Sequence, residues 1–149
     1  MCAFIFEPLV QGASGMNMYD HKDLSHLIKM AKDAEVLTIA DEVFTGFGRT
    51  GSWFASDLLS EKPNMMCLSK TVTGGFLPLG LTAVDDLVYE AFYSDEQHHT
   101  FLHGHSYTGN PLCCAAANAS LELMQEESFW PKISSIQHRV QQNIQSISN

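Results

Sequence analysis

The sequence predicts an α/β fold with a mainly parallel sheet and flanking helices. Short apolar runs with strand composition recur along the chain, and segments with helical spacing separate them. With 149 residues, 45% of them hydrophobic, the chain can bury a sizeable core as one globular unit. Helices between successive apolar runs favour parallel pairing, because a parallel pair needs a crossover connection.

The first predicted unit is strand, helix, strand. "CAFIFE" (residues 2 to 7) and "VLTIA" (36 to 40) are apolar, β-rich runs, and the second is followed by the acidic pair Asp41 and Glu42. Between them, apolar residues recur every three or four positions from 24 to 34, which predicts a helix. Together these segments form one βαβ unit with both strands buried.

Two further strands and three helices are predicted downstream. "MMCLS" (65 to 69) and "LGLTAV" (79 to 84) are strands, and "DDLVYEAF" (85 to 92) is a short helix that opens with acids. An alanine-rich helix, typical of close packing on a sheet, covers 110 to 126. An amphipathic helix with apolar residues every three or four positions covers 129 to 147.

Charge and composition restrict the partners. The formal net charge is −9, from 17 acids against 8 bases, and the chain has no lysine or arginine cluster, which argues against nucleic acid and anionic membranes as partners. No apolar run approaches the roughly 20 residues of a membrane span, and no signal sequence is evident. The four cysteines lack C-x-x-C spacing and are predicted to be reduced core thiols. We predict a cytoplasmic protein with a small-molecule or protein partner.

Three polar residues follow predicted strands, namely Glu7, Asp41 and Lys70. Because ligands of open α/β sheets bind beyond the carboxyl ends of the strands, these side chains are expected to converge. A lysine and a carboxylate so placed are what a pyridoxal phosphate (PLP) enzyme requires: the lysine holds the cofactor as an imine, and the acid keeps the pyridine nitrogen protonated. The alternative is that Lys70 is a surface cation and Asp41 caps the next turn.

Four segments resemble a known family. "FEPLVQGASGM", "IADEVFTGFGRTG", "CLSKTVTGG" and "HGHSYTGNPLCCAAANASLEL" occur in this order, and together they resemble the class III aminotransferases, or ω-aminotransferases, of fold type I PLP enzymes. The resemblance runs from Phe4 to about Leu123. It implies that residues 1–126 are part of the PLP-binding large domain and that 127–149 form a helix leading toward a C-terminal small domain.

Within that family, "EPLVQGASGM" and "HGHSYTGNP" are most similar to the branch that acts in biotin biosynthesis. This resemblance implies transfer of an amino group from adenosylmethionine, or from lysine, to 8-amino-7-oxononanoate, giving 7,8-diaminononanoate. It also implies a homodimer with shared active sites. The alternatives are another class III ω-aminotransferase, an aminomutase, or a catalytically silent fragment.

The resemblance also assigns roles to individual residues. Lys70 is the imine lysine and proton shuttle, Asp41 is the partner of the pyridinium nitrogen, and Val43 packs on one face of the cofactor ring. Ser106 stands where the family usually has threonine, whose hydroxyl reaches the cofactor phosphate of the neighbouring subunit. Glu7 is either a substrate-side carboxylate or a structural acid at a strand end. Without the resemblance, Val43 is an ordinary core valine and Ser106 a turn former.

One position departs from the family pattern, and some of the family's site residues are expected outside this sequence. Phe44 replaces a glutamine whose amide bonds to the cofactor's ring hydroxyl in some members, which argues against an ornithine- or 4-aminobutyrate-type enzyme. "GFGRTG" is predicted to be a turn-rich loop in which Arg49 forms an ion pair. The family's phosphate-cradling segment and ring-stacking aromatic are expected upstream of Met1, and its terminal arginine downstream.

Four histidines crowd into "HHTFLHGH", at positions 98, 99, 103 and 105. Their spacing is compatible with zinc, but no nearby acid or cysteine completes a clear set of four ligands. We therefore predict no metal site, and histidines that lie in a loop near the subunit interface.

Overall fold

The α/β class is confirmed by a computed structural model that describes residues 2–147. The elements, in chain order, are β1 (Ala3–Phe6), β2 (Val10–Gln11), β3 (Asn17–Met18), α1 (His21–Asp33), β4 (Leu37–Asp41), β5 (Met65–Leu68), β6 (Leu81–Val84), α2 (Asp86–Glu90), α3 (Pro111–Gln125) and α4 (Phe129–Ile147). Short 3₁₀ turns at 55–58, 70–73 and 97–99 lie between them. Each predicted strand and helix is present, with ends shifted by a few residues.

The central sheet has the order β1, β4, β5, β6. The pairs β1–β4 and β4–β5 are parallel, as expected for strands joined by a crossover, whereas β6 runs antiparallel to β5. No helix of crossover length connects β5 to β6, so the chain reverses and pairs directly with the strand it has just left. The sheet is therefore mainly parallel, with one antiparallel edge strand.

Two core clusters flank the sheet. On one side α1 buries Leu24 and Ile28 against Phe6 and Ala40. The helix begins where the Asp20 side chain accepts a hydrogen bond of 2.7 Å from the backbone N–H of Lys22.

The second cluster lies under α3, which places Ala117 and Met124 against Leu68 and Val72. The helix begins with Pro111, and the Asn110 side chain caps it by accepting from the backbone N–H of Leu112 at 2.9 Å. The small side chains of α3 bring its backbone close to the turn that begins at Lys70, whereas the alanine-rich composition predicted close packing on the sheet, where Leu68 of β5 is its contact in this cluster.

The surface is unusually extensive and apolar. The accessible area is 10638 Å², compared with about 7,500 Å² for a monomeric protein of this mass. Large apolar side chains contribute to the excess: Phe76 is 80% exposed, Leu102 88%, and Ile136 on the predicted stripe of α4 60%. Apolar surface of this extent is typical of sites that bind protein, ligand or membrane.

No disulfide joins the four cysteines in residues 2–147. Cys113 is buried and Cys67 is half-buried, whereas Cys2 and Cys114 are exposed, so the prediction of core thiols is wrong for those two. Among the described helices, none combines the length and hydropathy needed to cross a membrane.

Candidate active site

The carboxyl ends of three parallel strands bring the predicted site residues to one edge of the sheet. Phe6 lies opposite Ala40, and Asp41 lies opposite Cys67, so Glu7 and Asp41 follow adjacent strands and Lys70 comes three residues after Cys67. Asp41 and Lys70 form no direct ion pair within residues 2–147.

Asp41 is the last residue of β4 and is half-buried. Its Oδ1 accepts a hydrogen bond of 3.0 Å from the backbone N–H of Val43, so this carboxylate does cap the following turn. The Asp41 carboxylate also affects Cys67 on the neighbouring strand β5. Burial is the largest cause that raises the pKa of the Cys67 thiol, and the charge of Asp41 is the second. The half-buried Val43 side chain follows two residues later.

Lys70 begins the 3₁₀ turn with a positive φ of 46°, an uncommon conformation for a residue with a side chain. Its side chain is exposed, and Nζ lies 5.3 Å from the centre of the Phe44 ring. Gly74 and Gly75, both with positive φ, then turn the chain toward β6. Unfavourable backbone conformations of this kind concentrate at functional sites.

A second cation shares the Phe44 ring. The guanidinium carbon of Arg49 lies 5.8 Å from the ring centre, and Arg49 Nε donates a 3.0 Å hydrogen bond to Thr71 Oγ1. The predicted ion pair of Arg49 is wrong, since no carboxylate pairs with its guanidinium in the part of the chain that the structure describes. An exposed aromatic face is available in its place and attracts the cation.

Glu7 supports the same ring indirectly. Its Oε2 accepts a 2.8 Å hydrogen bond from the backbone N–H of Gly12, and a Cβ atom at Gly12 would lie only 2.8 Å from Phe44 Cγ. Glycine is therefore required for the ring to approach the backbone. Burial, and after it the charge of Glu7, raises the pKa of Tyr19. Glu7 thus has a structural contact, and its substrate-side role stays a prediction.

Ser106 is exposed in the turn at 106–109. The same loop borders an open cavity of about 670 Å³, which Tyr107 and Asn110 line opposite Ser69 and Leu79. Because Ser69 directly precedes Lys70, the cavity lies beside the lysine's segment. The role of Ser106 toward a neighbouring subunit stays a prediction.

The histidine-rich loop contains a small cluster of candidate ligands. Ligand atoms of Glu96, His98 and His99 lie within 4.8 Å of one another, so an acid does accompany the histidines. The group has three members rather than four, and all are exposed. His103 and His105 are not part of it.

Sequence reasoning missed three contributors: Gly12, the contact role of the Phe44 ring, and Glu42. Glu42 is completely buried, although its neighbour Asp41 is only half-buried. The sequence did carry a signal for the burial of Glu42, namely the acidic pair at the end of an apolar strand. Consecutive side chains of a strand point to opposite faces, so only one acid of the pair can face a ligand.

A family model and curated relatives show what the chain resembles. The family model described as Aminotransferase class-III matches residues 1–149. An adenosylmethionine-8-amino-7-oxononanoate aminotransferase of Synechococcus elongatus is 55% identical over 124 residues, which is 83% of this chain and 29% of that protein. The enzyme of the same name from Helicobacter pylori is 44% identical over 89% of this chain and 30% of its own length. The chain thus spans about a third of these relatives.

Solved structures agree with this assignment. The adenosylmethionine-8-amino-7-oxononanoate aminotransferase of Methanocaldococcus jannaschii superposes with a TM-score of 0.81 at 40% identity, covering 92% of this chain and 32% of that one. An S-selective transaminase from Arthrobacter gives a TM-score of 0.86 at 29% identity, covering 98% of this chain and 30% of that one. Because the family match covers the whole chain, the chain belongs to the class III aminotransferases.

Proposed function

We propose that the protein containing this chain is a PLP-dependent aminotransferase that forms 7,8-diaminononanoate. The observation that carries the proposal is the 55% identity, over 83% of the chain, to a relative named for adenosylmethionine and 8-amino-7-oxononanoate. The donor is adenosylmethionine or lysine, and the acceptor is 8-amino-7-oxononanoate. Since the chain covers 29% of that relative, the proposal concerns the longer protein.

The side chains at the sheet edge fit the cofactor chemically. The edge offers a primary amine on Lys70, a carboxylate on Asp41 and an apolar side chain on Val43. PLP, when bound, supplies an electron sink for the electron pair that stays on the substrate carbon when that carbon loses its proton. Lys70 Nζ would hold the cofactor covalently and then carry a proton to and from the substrate. The Asp41 carboxylate would hold the proton on the pyridine nitrogen, and Val43 would contact the ring face.

The cofactor assignment is tested by borohydride trapping. The longest natural chain containing this sequence is incubated with PLP, reduced and digested, and the modified peptide is identified by mass. We expect the label on the peptide that contains Lys70, and we expect its loss in Lys70→Ala. Label scattered over surface lysines would contradict the assignment and favour a catalytically silent fragment.

The substrates need a separate test, because other class III enzymes share the covalent step. Adenosylmethionine and lysine are each offered as donor with 8-amino-7-oxononanoate as acceptor, and formation of 7,8-diaminononanoate is followed by mass spectrometry. Pyruvate serves as the control acceptor. Turnover with pyruvate but not with 8-amino-7-oxononanoate would favour another ω-aminotransferase. Rearrangement of one substrate without an acceptor would favour an aminomutase.

The homodimer and the cytoplasmic location belong to the same proposal. The extensive apolar surface and the exposed position of Ser106 support a shared site between two subunits. The acidic composition supports a protein that does not associate with anionic membranes or nucleic acid.

A further inference from the structure

Glu42 is a buried carboxylate with no part in the roles assigned above. Its exposed fraction is 0%. Oε1 accepts a hydrogen bond of 2.7 Å from the backbone N–H of Ser56, and Oε2 accepts from the backbone N–H of Ala55 at 3.1 Å and from Thr45 Oγ1 at 2.5 Å. Three donors on two oxygens compensate for the loss of hydration that burial imposes on a carboxylate.

These donors come from both ends of one segment, residues 43–54, which we call the 43–54 loop. Thr45 lies near its start, and Ala55 and Ser56 directly follow its end. The middle of the loop is closed by backbone hydrogen bonds from Phe47 N–H to the Trp53 carbonyl, 2.6 Å, and from Gly48 N–H to the Ser52 carbonyl, 3.0 Å. Glu42 therefore joins the two ends of the loop at its base.

The 43–54 loop carries the groups that meet Lys70. Phe44 presents its ring to Lys70 Nζ, and Arg49 donates to Thr71, the residue after Lys70. The backbone N–H of Glu42 also donates to the Cys67 carbonyl at 3.0 Å, which fixes the base of the loop to β5. Bonds made by Glu42 thus contribute to the loop's position relative to Lys70, beside the packing of Phe47 against Leu68 and Val72.

We propose that Glu42 is a positioning residue whose buried carboxylate holds Phe44 and Arg49 against the segment of Lys70 and thereby sets the reactivity of the Lys70 amine. The functional importance of that amine rests on the proposed function. The placement of the ring by Glu42 does not, so the two ideas can fail separately.

The experiment measures amine reactivity in the longest natural chain, prepared without PLP. Trace acetic anhydride labels the lysines, and peptide mass spectrometry gives the rate at Lys70 relative to the exposed Lys132. In Glu42→Gln the new amide NH₂ opposes backbone N–H donors, so the loop must shift. Because the aromatic face attracts Nζ and holds it beside the ring, losing that contact should raise the relative rate about two- to fivefold.

Two further variants make the result decisive. Glu61→Gln makes the same chemical change at a partly exposed ion pair with Lys32 and should leave the Lys70 rate unchanged. Thr45→Val removes one of the two donors on Oε2 and should give a smaller increase, and it decides the matter if Glu42→Gln does not fold. Wild-type rates at Lys70 in folded Glu42→Gln, or in Thr45→Val where Glu42→Gln does not fold, would reduce Glu42 to a structural role. Trapping with borohydride in the wild type separately tests whether Lys70 is the cofactor lysine.

Discussion

Lys70 Nζ lies 5.3 Å from the centre of the Phe44 ring, and the two residues follow neighbouring parallel strands. The same ring contacts the Arg49 guanidinium and rests against the backbone of Gly12. One aromatic side chain, placed just after β4, therefore meets the residue that follows β2 and the lysine that follows β5. The lysine is an exposed amine with a defined aromatic neighbour rather than a freely solvated surface charge.

Phe44→Leu should remove the contact between Lys70 Nζ and the aromatic ring without leaving a large cavity. Leucine keeps most of the volume but removes the aromatic face, so we expect the relative acetylation rate of Lys70 to rise about two- to fivefold. Phe76→Leu is the matched control, because Phe76 is 80% exposed and contacts neither cation. An unchanged rate in Phe44→Leu would show that the ring does not influence the amine.

Gly12→Ala should displace the ring by steric conflict. A Cβ atom at this position would lie 2.8 Å from Phe44 Cγ, so we expect the free energy of unfolding to fall by about 1 to 3 kcal/mol. Denaturant titration of the longest natural chain measures the change. Gly80→Ala is the control, since a Cβ at Gly80 meets nothing within 4 Å. Equal stabilities of the two variants would contradict the close approach.

The alkylation rate of Cys67 should depend on pH through Asp41. Burial, and after it the Asp41 carboxylate, raises the pKa of Cys67, so the thiol should react with iodoacetamide only at a higher pH than an ordinary thiol. Asp41→Asn removes the second cause, and the midpoint of the rate against pH should move down. Peptide-resolved alkylation measures both, with the exposed Cys114 as the internal control.

The raised pKa of Cys67 also determines how the stability of the fold depends on pH. The folded thiol keeps its proton to a higher pH than the unfolded thiol. Its contribution to stability is therefore complete below the unfolded pKa and is lost as the pH rises through the folded pKa. If the midpoint of the Cys67 alkylation rate against pH is unchanged in Asp41→Asn, burial alone raises the pKa of Cys67 and the predicted effect of Asp41 is wrong.

A shared site predicts complementation between subunits. Lys70→Ala removes the amine, and Ser106→Asp places a negative charge where the hydroxyl is proposed to meet a phosphate. If each site takes Lys70 from one subunit and Ser106 from the other, random mixing makes half of the dimers hybrid, each with one site free of both substitutions. About a quarter of the wild-type aminotransferase activity should return. The mixture is compared with each variant alone.

The control refolds Lys70→Ala with itself and should recover nothing. A mixture no more active than the sum of its two components would place Ser106 outside the neighbouring subunit's site.

The strand ends were predictable from sequence, and the contacts between them were not. Apolar runs located β1, β4 and β5, and the rule that ligands bind beyond carboxyl ends brought Glu7, Asp41 and Lys70 to one edge. The contact between Phe44 and Lys70 depends on side-chain conformations across a long sequence separation, which local periodicity does not encode. Glu42 was missed for the same reason, because its donors lie in a loop whose path only the fold determines.

Two features of the topology were not predicted from the sequence, and both have simple causes. Each strand of the β2–β3 hairpin has two residues, too few to show an alternating pattern. The antiparallel direction of β6 is determined by the missing crossover helix after β5, whereas the helices elsewhere favoured parallel pairing.

The large wet apolar surface has a thermodynamic consequence for the chain on its own. The heat-capacity increase of unfolding reflects apolar surface that becomes hydrated, and here much of that surface is hydrated already. We therefore expect an increase below about 12 cal/mol/K per residue, and a curve of unfolding free energy against temperature that is flatter than that of a monomer of equal length.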